Sequence, residues 1–86
     1  MLNLFYTPNF VREYSRLPRS LQEEVKEPIA LFRTDPRHTF LRTHKLTGKM
    51  RNKWSFRVNY EFRVVFCYDS KNVVALLSVG NHSVYE

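Results

Sequence analysis

Apolar residues recur at helical spacing over residues 8–33 and at every second position from Trp54 onward, so the chain reads as a helical half followed by a sheet-forming half. Leu2 to Tyr6 predict a short strand, which ends at Thr7-Pro8, a helix cap followed by a first-turn proline. A helix from about 8 to 16 follows, with Phe10, Val11, Tyr14 and Leu17 forming one core stripe. Leu17-Pro18 opens a second helix to about Arg33, with Leu21, Val25, Ile29 and Phe32 inward and Gln22, Glu23, Lys26 and Arg33 outward. Pro28 lies inside it, and its missing N–H predicts a kink or break near Glu24 to Glu27. Asp35-Pro36 ends the helical part.

In the second half, Trp54, Phe56 and Val58 alternate with Ser55, Arg57 and Asn59, and after a turn near Tyr60 the alternation resumes through Phe62, Val64 and Phe66. Pairing 54 with 66, 56 with 64 and 58 with 62 keeps every large apolar residue on one side. That register sets Arg57 opposite Arg63 on the other side, where like charges facing each other call for an anion between them. Residues 69–72 read as a turn, and Val73 to Val79 as a strand covered on both faces. A four-residue loop would set Ser78 opposite Arg63, and the same count carries His82 to the arginine side beside Asn59. Trp54, Phe56 and Phe66 belong under the helices, whereas Val65, Val74 and Leu76 are expected on the arginine side as a concave floor. The expected fold is α+β: two N-terminal helices packed on a twisted, mainly antiparallel sheet, in a single domain over 1–86.

Charge changes this picture. The chain carries 14 Lys plus Arg against 8 Asp plus Glu, and residues 36–60 hold seven of those cations with no acid, leaving −1 for the rest. Such a concentrated basic segment suits a polyanion, with an acidic protein surface as the other reading. One cysteine, Cys67, excludes an internal disulfide, and no metal-ligand spacing appears, so neither a metal nor another cofactor is implied. No stretch approaches the length of a membrane span, and a soluble, cytoplasmic protein is expected.

The order of parts then resembles a known family. His44-Lys45-Leu46-Thr47-Gly48, Trp54-Ser55-Phe56-Arg57-Val58, Tyr60-Glu61-Phe62-Arg63-Val64-Val65-Phe66 and Gly80-Asn81-His82 are similar to the RelE/ParE superfamily of bacterial toxins, nearest the RelE, YafQ and YoeB branch. The resemblance implies a RelE-like fold and the toxin of a type II toxin–antitoxin system. It further implies an endoribonuclease that cuts mRNA in the ribosomal A site, with mRNA, the ribosome and a cognate antitoxin as partners. Val65, Val74 and Leu76 would then line a groove for an antitoxin helix. Tyr85 departs from the pattern, because it follows His82 by three residues where many members have a gap of four.

RNA cleavage by the neighbouring 2′-hydroxyl needs a base, an acid and cations on the charged intermediate, and no metal. His44 matches the family's general base, and Arg57 and Arg63 match the positions that contact the scissile phosphate. His82 suits general acid or phosphate orientation, and Tyr85 suits stacking on a base. Lys45, Lys49, Arg51 and Lys53 suit binding of the RNA backbone, and His38 reads as a loop residue. Two other readings share this fold: a ParE-like inhibitor of DNA gyrase, which would lack the acid and base histidines, and an inactive relative that only binds its antitoxin.

Overall fold

The computed structural model describes residues 1–50 and 52–81. It is built as strand β1 (Asn3–Tyr6), helices α1 (Pro8–Ser15) and α2 (Arg19–Thr34), a short strand β2 (His44–Lys45), and strands β3 (Trp54–Arg57), β4 (Arg63–Ser70) and β5 (Val73–Gly80). The sheet runs β1-β5-β4-β3-β2, with β1 parallel to β5 and every other pair antiparallel. This is the expected α+β arrangement. The β3–β4 register is the one that hydrophobic alternation predicts: Trp54 faces Phe66, Phe56 faces Val64, and Arg57 faces Arg63.

One face of the sheet carries the core. Phe32 of α2 stacks on Phe56 at 4.5 Å and tilts against Phe66 at 4.6 Å between ring centroids, and Val25, Ile29 and Phe10 complete the helical side. Leu41, from the connection after α2, is also fully buried. Thr7 caps α1 by accepting the N–H of Phe10 through its side chain, as its position before Pro8 predicts. The helices are joined by Gln22, whose carboxamide donates to the carbonyls of Tyr14 and Leu17 at 3.0 and 3.1 Å. A residue expected to point outward therefore fastens the turn.

Four expectations are corrected. Val11 is 51% exposed, because the sheet supports only the Phe10 side of the short helix α1. Helix α2 runs unbroken through Pro28 to Thr34. Proline leaves the Glu24 carbonyl without its ladder donor, but Glu24 is exposed and water can serve it, while the proline ring is buried. The β4–β5 connection is Lys71-Asn72 rather than a four-residue loop, and register shifts fall at Val65/Phe66 and Tyr68/Ser70. Ser78 therefore faces Val65, Arg63 faces Gly80, and Val74 and Leu76 turn into the core under the helices instead of joining the arginine side. Finally, β5 buries Val74, Leu76 and Val79 but leaves Val73, Ala75 and Leu77 half-buried, so it is covered on one face.

The first irregularity in β5 is satisfied from α1. Asn9 donates through its side chain to the Leu77 carbonyl at 2.8 Å, and the Glu13 carboxylate accepts the Val79 N–H at 3.1 Å. These bonds replace ladder partners that the shift removes. Replacing Phe32 with alanine empties the centre of the aromatic cluster and is expected to cost about 3–5 kcal/mol in urea denaturation. The same measurement on Val11→Ala should move stability by less than about 0.5 kcal/mol.

Candidate nucleic-acid interface

The sheet face turned away from the helices brings together residues that lie far apart in the chain. His44 in β2 pairs with Ser55 in β3, Ser55 with Val65 in β4, and Val65 with Ser78 in β5, so these four form one row. Two residues along the strands, Arg57, Arg63 and Gly80 form the next row on the same face. Strand spacing and rise put the His44 Cα about 8 Å from that of Arg57 and about 12 Å from that of Arg63. Long side chains from these positions can meet over one phosphodiester.

No carboxylate of the described residues answers the two arginines. The ion pair among those residues is Lys26–Glu23 at 3.0 Å, on the exposed side of α2, where the hydrogen bond and charge of Glu23 hold the Lys26 ammonium above its usual range. Each guanidinium is instead fixed by backbone oxygen. Arg57 donates from Nε to the Phe40 carbonyl at 3.0 Å and lies 4.6 Å from the centroid of the Phe40 ring. Arg63 donates from Nη1 to the carbonyls of Asn59 and Phe62, at 2.6 and 3.0 Å. Their backbones therefore sit face to face while their charged ends rest on separate anchors, Arg57 toward the edge of the sheet and Arg63 toward the hairpin turn. That turn is itself set by Asn59, whose side-chain oxygen accepts the N–H groups of Glu61 and Phe62 at 2.8 and 2.7 Å. Tyr60 projects from its tip, 83% exposed.

His44 is exposed on an edge strand, and its Nδ1 lies 2.9 Å from the Arg42 carbonyl. A carbonyl only accepts, so Nδ1 carries the proton in this bond and the neutral ring is left with a bare Nε2. The carbonyl comes from a strained residue: Arg42 has φ of 48°, in the left-handed region that side chains rarely adopt. Between His44 and Trp54 the chain closes a tight connection. Leu46 donates its N–H to the Lys53 carbonyl at 2.9 Å, and Gly48 turns at φ of 65° with open space around its α-carbon, so the glycine is there for conformation.

Lys45 and Lys49 are exposed and Lys53 is half-buried around this connection, and His38 caps the 3-10 turn Thr39–Leu41 by accepting the Phe40 N–H at 3.1 Å. Arg51, His82 and Tyr85 lie outside the described residues. Ser55 and Val65 are closed to solvent although they face away from the helices, and the Ser55 hydroxyl has no hydrogen-bond partner among the described residues. Among the described residues, no three His, Cys, Asp or Glu side chains gather as a metal site, and no helix is long and apolar enough to cross a membrane. A cleft of about 470 Å³ is lined by Phe40, Pro28, Leu31 and Val58, with Glu24, Glu27 and His38. Those acids make it unsuited to a nucleic acid. Sequence reasoning missed Phe40, Arg42 and Ser55. Only Phe40, which with Leu41 interrupts a basic, polar run, gave a signal.

Comparison of the whole structure finds the same fold in solved proteins. A copper-bound mutant toxin from Helicobacter pylori superposes with a TM-score of 0.74 at 21% identity, covering 100% of both chains. The RelBE2 toxin–antitoxin complex from Mycobacterium tuberculosis matches at 0.78 and 18% identity, over 94% of this chain and 98% of that one. YafQ from Escherichia coli matches at 0.79 and 10% identity, over 98% and 97%. No family model and no curated protein matches the sequence. The chain has the fold of the RelE, YoeB and YafQ type of toxin, and the solved structures that share it include toxin–antitoxin complexes.

Replacing Arg42 with glycine removes the cost of a left-handed side-chain-bearing residue and is expected to raise stability by up to about 1 kcal/mol. Nitrogen-15 spectra of the neutral His44 ring should show the Nδ1–H tautomer in the wild type. A majority of Nε2–H would contradict the Arg42 bond.

Proposed function

We propose that this chain is the toxin of a type II toxin–antitoxin pair and acts in the cytoplasm as a ribosome-dependent mRNA endonuclease. The observation that carries the reading is the pair Arg57 and Arg63, set opposite each other on the sheet face turned away from the helices, with no ion pair to a described carboxylate and with His44 on the same face. An arginine pair of this kind costs repulsion in the free protein and suits a bound phosphate. The shared fold supports the toxin class, and complexes such as RelBE2 support a cognate antitoxin as partner.

In this reaction the 2′-hydroxyl of the nucleotide before the scissile bond attacks phosphorus, and His44 Nε2 takes its proton. The 5′-oxygen leaves with a proton from His82, and a 2′,3′-cyclic phosphate remains on the upstream fragment. Arg57 and Arg63 carry the charge that builds on the non-bridging oxygens, each with N–H groups left over from its backbone anchor. Tyr85 stacks on a flanking base, and Lys45, Lys49, Arg51 and Lys53 hold the RNA backbone electrostatically. Nothing in this scheme calls for a metal.

Mapping of mRNA 5′ ends by primer extension after induction is the test. Wild type should arrest growth and create new ends within translated codons. Arg63→Ala should lower cleavage about 10²–10³-fold, as loss of a charge-stabilising donor does. Growth arrest without new ends in the wild type would assign the chain to the gyrase-inhibitor reading, and no arrest at all to the inactive relative.

A further inference from the structure

Phe40 does two things to one guanidinium. Its carbonyl accepts from Arg57 Nε at 3.0 Å, and its ring lies beneath Arg57 Cζ at 4.6 Å. The oxygen fixes the direction of the fork, and the ring fixes its plane, while the bond to the Phe40 carbonyl uses only Nε. The base on which Phe40 stands is firm. Leu41 next to it is fully buried, the Leu41 N–H bonds the His38 carbonyl at 3.0 Å, and His38 Nδ1 holds the Phe40 N–H. Thr43 ties the far end to the Pro36 carbonyl through its hydroxyl at 2.7 Å. Yet Phe40 itself is 40% exposed, so burial does not account for an aromatic residue in this basic, polar segment.

We propose that Phe40 is the positioning residue for Arg57, holding its guanidinium in one orientation before any RNA arrives. The proposal deepens the reading of Arg57 as a phosphate-holding group and rests on it for the catalytic consequence, but not for the placement. A charged group oriented in advance spares the reorganisation that a free arginine would undergo in the transition state, so the effect belongs in kcat more than in KM. Phe40 also lines the cleft by Pro28 and Leu31, which leaves room for a larger ring at position 40.

Three variants separate the ring from the bulk: Phe40→Leu keeps apolar volume without a π face, Phe40→Trp keeps and enlarges the face, and Phe40→Ala removes both. The first readout is the Arg57 Nε–H resonance in the free protein, which makes no assumption about activity. A slowly exchanging signal is expected in wild type and Phe40→Trp, with exchange about two- to fivefold faster in Phe40→Leu and Phe40→Ala. The second is cleavage of mRNA on programmed ribosomes, where Phe40→Leu should lose a similar factor in kcat with little change in KM and Phe40→Trp should match wild type. If Phe40→Leu behaves as wild type in exchange, Phe40 is only a spacer and the proposal fails. Should the exchange pattern appear as expected while the wild type cuts no RNA, the placement stands and the nuclease reading is what fails.

Discussion

The register between β3 and β4 is the constraint on which this molecule depends. Side chains alternate across a strand, so the pairing that seats Phe56 and Phe66 beneath Phe32 also sets Arg57 against Arg63 on the opposite face. Sliding one strand by one residue would separate the arginines and would also drive the aromatic cluster into water. Burial of those aromatic rings, each worth several kcal/mol, outweighs the repulsion between two partly solvated guanidiniums, worth about 1 kcal/mol or less. The core thus holds together a charged pair that would not assemble on its own.

Backbone carbonyls then do for the arginines what carboxylates do elsewhere. A carboxylate partner would satisfy the guanidinium but cancel its charge, whereas the carbonyls of Phe40, Asn59 and Phe62 orient it and leave the charge available. The same economy applies to His44, whose Nδ1 is occupied by the Arg42 carbonyl so that Nε2 stays open. Each of these anchors lies outside the long strands: in a 3-10 turn, at its left-handed end, or in a hairpin turn. The sheet supplies the spacing, and the loops supply the aim.

Alternation and helix punctuation made most of the fold legible. The cap at Thr7, the break at Leu17-Pro18 and the β3–β4 register follow from local chemistry and are found in place. Apart from the kink expected at Pro28, what failed was mainly nonlocal. The shift near Leu77 is satisfied from α1, where Asn9 donates to the Leu77 carbonyl and Glu13 accepts the Val79 N–H, and no periodicity in β5 announces that. Val74 and Leu76 were consequently assigned to the wrong face. Short strand β2 was equally invisible, since two residues cannot show a period, although it carries His44 into register with Ser55. Of the candidate site, residue types and sides could be read, but not the anchors. A carbonyl is present at every position, and only the fold selects the one at Phe40.

A double-mutant cycle on Arg57 and Arg63 tests the central claim most directly, using ribosomes programmed with an mRNA made uncleavable by a 2′-deoxy substitution at the scissile nucleotide. Binding is measured for Arg57→Ala, Arg63→Ala and the pair together. Two side chains that grip one phosphate should be coupled by roughly 0.5–3 kcal/mol, so that the second substitution costs much less than it does alone. Strict additivity, or binding indifferent to both changes, would mean that the register places two charges on one face without giving them a common ligand.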